Sequence, residues 1–209
     1  MENEKEVRIL SNNNSFELRS VGEGDSKELH IQGYALTFDT ISEDLGFRET
    51  IRKGALDSCD LNNVVFAVNH DTDKLLARNS KTNGKGSLIL NVDDNGLFFD
   101  AIPTDTSYSR DLIENMNEGI IGKCSFKFCL DWSDPEAQTW DWDDGNRGYD
   151  FRTINKISKI TDVSIVVNPA YESTSSTMYK RNKDEHNENI RQLKNELLKR
   201  KLEIELELV

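Results

Sequence analysis

Three apolar segments of this chain are each interrupted by polar residues, and the interruptions limit what the chain can become. Val64-Val65-Phe66-Ala67-Val68 runs directly into Asn69-His70-Asp71. Gly119-Ile120-Ile121-Gly122-Lys123-Cys124-Ser125-Phe126-Lys127-Phe128 carries a serine among apolar residues. Ile160-Thr161-Asp162-Val163-Ser164-Ile165-Val166-Val167-Asn168-Pro169-Ala170 carries a carboxylate. Runs this short read as buried strands rather than helices, and buried strands hold their side chains rigidly. The interruptions supply a candidate base, His70, a candidate nucleophile, Ser125, and a candidate acid, Asp162. A serine hydroxyl is a poor nucleophile until an imidazole takes its proton. A third group must then orient that imidazole and stabilise its charged form, and the order of the three along the chain is immaterial.

The balance of charge narrows the function classes. With 26 Lys and Arg against 38 Asp and Glu over 209 residues, the net charge is −12. A nucleic-acid binder needs a basic stripe to displace counterions, so that class is disfavoured. The three cysteines, Cys59, Cys124 and Cys129, lack the spacing of a disulfide framework, which points to reduced thiols in a cytoplasmic setting. The opening Met1-Glu2-Asn3-Glu4-Lys5-Glu6 has no signal-peptide character, and no stretch is apolar enough to span a membrane.

Four regions follow from composition. Residues 1–27 form a polar N-terminal segment, with an apolar beat at Val7, Ile9 and Leu10 and a possible edge strand in Phe16-Glu17-Leu18-Arg19. Residues 28–171 hold the main domain, 172–189 read as a flexible linker, and 190–209 as an amphipathic helix with Ile190, Leu193, Leu197 and Ile204 on one stripe. Within the main domain, strands are expected over 28–38, with a bulge at Gly33, and over 64–68, 125–130 and 157–167. Two more flank Asp93-Asp94-Asn95-Gly96, a hairpin signal. A short helix is expected over 53–59, and a second begins at a cap on Asp105 or Thr106, buries Leu112, Ile113 and Met116, and ends at Gly119. Asp131 to Gly148 reads as a loop or long hairpin.

Each candidate also has a bland reading. His70 could be a surface-loop histidine and Ser125 a polar strand residue. Alternation within Ser125–Leu130 puts Ser125, Lys127 and Cys129 on one face and Phe126 and Phe128 on the other. Cys124, a thiol and so a better intrinsic nucleophile, falls with Phe126 and reads as core. Ser164 shares a face with Asp162 and could donate a hydrogen bond to it. Asp141-Trp142-Asp143-Asp144-Gly145 lacks the register of a calcium loop and reads as a solvated turn. No zinc spacing or phosphate loop is present, so no metal or cofactor is expected. Ser125 on a strand, without a Gly-x-Ser-x-Gly word, argues against an α/β-hydrolase.

From about Ile31 to Ala170 the chain resembles the prohead serine proteases of tailed bacteriophages, the HK97 type. The likeness is carried by Gly33-Tyr34-Ala35, Glu49 to Gly54-Ala55-Leu56, Asn69-His70-Asp71, Asp94-Asn95-Gly96-Leu97, Ser125-Phe126-Lys127-Phe128, and Asp162-Val163-Ser164 with Asn168-Pro169-Ala170. The resemblance implies that His70 and Ser125 are the catalytic pair and Asp162 the third member. His30 is the reserve third member, because the distantly related herpesvirus assembly proteases use a second histidine. Lys127 stands where the family usually has glycine. Asp162 stands where glutamate is more usual, and its shorter side chain requires a closer backbone. The implied fold is α+β, a mostly antiparallel β-barrel of the herpesvirus assembly-protease kind with peripheral helices and a C-terminal helical tail. The implied function is a serine endopeptidase acting in the host cytoplasm inside the assembling prohead. Its implied substrates are the major capsid protein with its scaffolding region, and the protease itself. The C-terminal helix would dock on that scaffolding region or on another copy. The competing class is a non-catalytic scaffold or capsid-assembly component that keeps the fold.

Overall fold

The computed structural model describes residues 5–9, 16–22, 28–167 and 173–207. The strands, in chain order, are β1 (Lys5–Ile9), β2 (Phe16–Val21), β3 (Glu28–Thr37), β4 (Arg48–Ile51), β5 (Val65–Val68), β6 (Asp71–Arg78), β7 (Ser87–Val92) and β8 (Gly96–Ile102). Helix α1 (Ser107–Asn117) follows, then β9 (Lys123–Cys129), β10 (Gln138–Asp141), β11 (Phe151–Ile154), β12 (Lys159–Val166) and helix α2 (Ser173–Glu207). Nine strands form one sheet in the order β1-β9-β12-β5-β6-β7-β8-β3-β2, and β10-β11-β4 form a second. The fold is α+β and dominated by sheet. It is not the closed barrel expected: β1 and β2 end the large sheet, and no ladder joins them among the described residues. The pairing is mostly antiparallel, with β12–β5, β6–β7 and β11–β4 parallel.

The core follows from alternation. Ile31, Leu36, Phe66, Leu76, Leu97, Phe99, Phe126, Phe128, Ile160 and Ile165 are buried in one cluster. Helix α1 adds Leu112 and Met116, is capped by the Thr106 hydroxyl accepting from the Ser109 N–H, and stops at Gly119. The Asn95-Gly96 hairpin forms as β7–β8, with the Asp93 carboxylate accepting from the Asn95 and Gly96 amides. A Cβ on Gly96 would stand 2.0 Å from the Leu36 carbonyl oxygen, so glycine is required there by close approach.

Several expectations change. The segment 53–59 is a run of tight turns, with the Ala55, Asp57 and Cys59 amides each bonding three residues back, because Gly54 adopts a positive φ that breaks a helix. The irregularity in β3 lies between Tyr34 and Leu36, not at Gly33. The linker expected over 172–189 is replaced by one continuous helix from Ser173 to Glu207, whose Lys-, Glu- and Arg-rich sequence has no proline and no glycine. This helix belongs to a unit of its own, Glu172–Val209, and its Leu193, Leu197, Leu198 and Ile204 side chains are exposed. Asn168-Pro169-Ala170 lies outside the described residues. Within 1–27, β1 pairs with β9 and β2 with β3, so that β2 is the edge strand beside β3.

Strand β1 is also held by charge. Glu6 and Arg8 meet Glu49 of β4 and Arg152 of β11, and all four side chains are buried. Arg8 Nη2 donates to Glu6 Oε2 at 2.7 Å and to Glu49 Oε2 at 3.0 Å, and its Nε donates to Glu49 Oε1. Arg152 grips Glu6 through both terminal nitrogens at 2.7 and 2.9 Å and reaches Glu49 at 3.2 Å. Two cations and two anions cancel. Burial alone would raise the Glu6 carboxyl, but the Arg152 and Arg8 guanidiniums outweigh it and hold it at about 2. Removing one partner of such a cluster leaves an uncompensated buried charge and costs roughly 3–5 kcal/mol. A depressed carboxyl contributes stability above its ordinary 4.5 and loses it as pH falls toward 2. The urea midpoint of the wild-type protein should therefore drop across that window, while that of Glu6→Gln, lower at neutral pH, stays flatter. Parallel curves for the two proteins would show that Glu6 is not held ionised.

Candidate active site

Strand β12 places the site because it is paired on both sides. Its parallel ladder with β5 sets Asp162 opposite Val65 and Ile165 opposite Val68, and its antiparallel ladder with β9 sets Ser164 opposite Ser125. Asp162 and Ser164, two apart, project from the same face of the strand. At the end of β5 the chain reverses through Asn69-His70 into β6. Both turn residues have positive φ, 52° and 58°. That is the backbone of a primed two-residue hairpin, whose twist matches the flanking strands and which asparagine tolerates well. The turn is tied to β12 three times. The Asn69 amide donates to the Ile165 carbonyl at 2.9 Å, the Asn69 side-chain oxygen accepts from the Val167 amide at 3.0 Å, and the His70 amide donates to Ser164 Oγ at 3.2 Å.

The three remote residues then meet. His70 Nδ1 lies 2.6 Å from Asp162 Oδ1, and His70 Nε2 lies 2.6 Å from Ser125 Oγ. Ser164 Oγ donates to the same Asp162 oxygen at 2.8 Å. Asp162 is 5% exposed and Ser125 fully buried, so both contacts are shielded from water. The short aspartate reaches because β12 lies directly beside both β5 and β9. With Nδ1–H donated to the carboxylate, Nε2 is left to accept the serine proton, the tautomer that base catalysis requires.

One further contact bears on the hydroxyl. Ser125 Oγ donates to the backbone carbonyl of Arg8 at 2.8 Å, because β1 pairs along β9 with Ile9 opposite Ser125 and Arg8 opposite Phe126. A hydroxyl has one proton, so the Arg8 carbonyl competes with His70 for it. Val7 and Ile9 line an open cleft together with Asn69, His70, Ser125, Val166 and Val167. The strand covering the serine was not expected from the sequence, although Glu6-Val7-Arg8-Ile9 alternates polar and apolar residues with a period of two. Its buried charges were the obstacle, since Glu and Arg read as solvated.

The remaining candidates lie elsewhere. His30 Nδ1 is 2.7 Å from Asp100 Oδ1, and no contact joins it to His70. Cys124 is fully buried, and burial pushes its thiol well above the ordinary range, which leaves no thiolate to attack. Burial likewise pushes Cys59 up to about 12. The Asp141–Gly148 turn is closed by its own backbone and Arg147, with the Asp143 carboxylate accepting from the Arg147 and Gly148 amides. Among the described residues, no group of three or more His, Cys, Asp or Glu is arranged to hold a metal ion.

The profile of the caudovirus prohead serine proteases matches residues 14–189. The chain belongs to that family. The match begins after β1, so the strand on the serine lies outside it. Among solved structures, the bacteriophage T4 capsid assembly protease gp21 shares the fold, with a TM-score of 0.53 and 16% identity over 80% of this chain and 100% of that one. No curated protein matches by sequence. Among the described residues, no helix is long and apolar enough to cross a membrane.

The turn carrying His70 yields a stability test. Asn69→Ala removes the Val167 amide's acceptor and places a residue less tolerant of positive φ. It should cost about 1–2 kcal/mol in urea unfolding. Asn69→Gly, which keeps the backbone freedom, should cost less. Equal losses would mean that the side-chain hydrogen bond alone matters.

Proposed function

We propose that the chain is a serine endopeptidase that cleaves the major capsid protein and its scaffolding region, and itself, as the procapsid matures within the host cytoplasm. The observation that carries this reading is the unbroken relay from Asp162 through His70 to Ser125, at 2.6 Å on each side of the imidazole. Membership of the prohead protease family supports the substrate class. Ser125 Oγ attacks the scissile carbonyl carbon while His70 Nε2 takes its proton. The tetrahedral adduct collapses, the peptide C–N bond breaks, and His70 returns the proton to the leaving amine. Water, deprotonated by the same imidazole, then hydrolyses the acyl-enzyme. Asp162 holds the imidazole and stabilises its cation without itself taking the proton. Ser164 holds Asp162. With β1 lying on β9, the carbonyl of Arg8 holds the Ser125 hydroxyl proton, so turnover requires β1 to yield its position. The exposed stripe of α2 is the surface offered to the capsid scaffold or to a second copy.

The competing reading, a non-catalytic assembly component, draws on that same covering of Ser125. Co-expression with the cognate capsid protein, followed by intact-mass analysis, separates the two. Wild type should give cleaved capsid protein, and Ser125→Ala and His70→Ala none. The double mutant should be as inactive as either single, because the pair acts as a unit. Cleavage that persists in Ser125→Ala would end the serine mechanism. Asp162→Asn should retain some turnover while losing up to ~10⁴-fold, and Cys124→Ala should keep near-full activity.

A further inference from the structure

The buried cluster beneath β1 has a division of labour. Glu49 of β4 binds the guanidinium of Arg8, and Arg152 of β11 binds the carboxylate of Glu6. Both Glu49 and Arg152 belong to the small sheet, and their partners are two residues apart on one extended strand. That strand lies antiparallel on β9 with the Arg8 carbonyl 2.8 Å from Ser125 Oγ. Extended peptides that add to a sheet edge gain affinity from the backbone and specificity from pockets for alternate side chains. The arrangement of β1 has both elements.

The charge count favours an exchangeable occupant. With Glu6 and Arg8 in place the cluster sums to zero, and when they leave together Glu49 and Arg152 remain within 3.2 Å of each other, again summing to zero. Neither state strands a buried ion, which is the costly outcome. An incoming segment that brings only one of the two charges does strand one.

We propose that Glu49 and Arg152 are specificity-determining residues, which read a basic and an acidic side chain two apart in a peptide that takes the place of β1. This rests on the endopeptidase reading above for what is recognised. The preferred segment is Glu-x-Arg, preferably arginine because Glu49 meets the guanidinium through two nitrogens. Glu49 takes the residue whose carbonyl faces Ser125, and Arg152 takes the residue two before it. Substrates therefore carry an acid–any–arginine pattern in an extended stretch. The family profile begins at residue 14, so it does not contain the strand from which this pattern is read.

The test is a binding measurement that needs no turnover. The full chain is prepared with Ser125→Ala, and with Glu6→Gln and Arg8→Gln to loosen β1. Fluorescein-labelled peptides containing Glu-Val-Arg-Ile, Gln-Val-Arg-Ile, Glu-Val-Gln-Ile, Gln-Val-Gln-Ile or Arg-Val-Glu-Ile are titrated by anisotropy. Glu-Val-Arg should bind at least tenfold more tightly than the neutral peptide, and Arg-Val-Glu more weakly than any other. Adding Glu49→Gln should erase the preference at the arginine position and keep that at the glutamate. Adding Arg152→Gln should do the reverse. Loss of both preferences in either variant would mean that the cluster is structural only. If either variant fails to fold by circular dichroism, the peptide series on the parent decides, since a flat series, or no binding into the millimolar range, overturns the proposal. Hydrolysis by the chain with Ser125 intact keeps the two readings apart. Cleavage without charge preference would remove the subsites and leave the endopeptidase, and selective binding without cleavage would do the opposite.

Discussion

The site depends on a strand that has no free edge. Because β12 is laddered to β5 on one side and β9 on the other, a shift of register on either ladder would turn Asp162 and Ser164 to the opposite face. The same strand also grips the turn that follows β5, through Ile165, Val167 and Ser164. His70 is therefore positioned by the strand that carries Asp162. Ser125 faces that strand's Ser164 across the other ladder. One element, buried on both faces, sets all three groups, and its apolar residues fix the register by packing.

Positive φ at both Asn69 and His70 is a local cost of order 1–3 kcal/mol per residue, tolerated only where surrounding contacts over-determine the conformation. Here they do: three hydrogen bonds from β12 meet two turn residues. The strain has a chemical consequence. A relaxed loop would let the imidazole sample several orientations, whereas this turn leaves Nδ1 toward Asp162 and Nε2 toward Ser125. The mutual fit of the turn and β12 is preorganisation of the kind that lowers reorganisation during reaction.

Much of this was legible in the sequence because burial writes short apolar runs, and a polar residue within such a run must have a partner. His70, Ser125 and Asp162 stood out as candidates that way, the family resemblance singled them out as a set, and Ser164 stood out by its spacing from Asp162. What stayed hidden was long-range or charged. The parallel pairing of β12 with β5 leaves no local signal. The ends of a sheet and the closure of a barrel differ only in which strands meet, and no pattern in β1 or β2 records that they do not. The turn run over 53–59 has helix-like composition, and one glycine at positive φ decides against the helix. Glu6, Arg8, Glu49 and Arg152 look like surface residues one at a time, and only their convergence makes burial affordable.

That convergence links the two sheets of the unit. β1 is an edge strand of the large sheet, and an unprotected edge is a template for any extended chain. β9 would present such an edge beside Ser125 if β1 were absent, and β1 covers it with backbone pairing and charges at once. The small sheet gives Ile51 and Ile154 to the apolar core, and it also supplies both ions that answer β1. Its placement follows if selection acts on what lies along β9 rather than on core volume alone. A purely apolar contact would hold β1 as well, and replacing buried ion pairs by apolar residues is often neutral or stabilising. Apolar residues, however, would accept many strands. Four charges of fixed geometry would accept few, and an exchange of the strand that carried both charges would pass from one balanced state to another. On the endopeptidase proposal, in which Ser125 is the nucleophile, that discrimination would decide which chain reaches the hydroxyl.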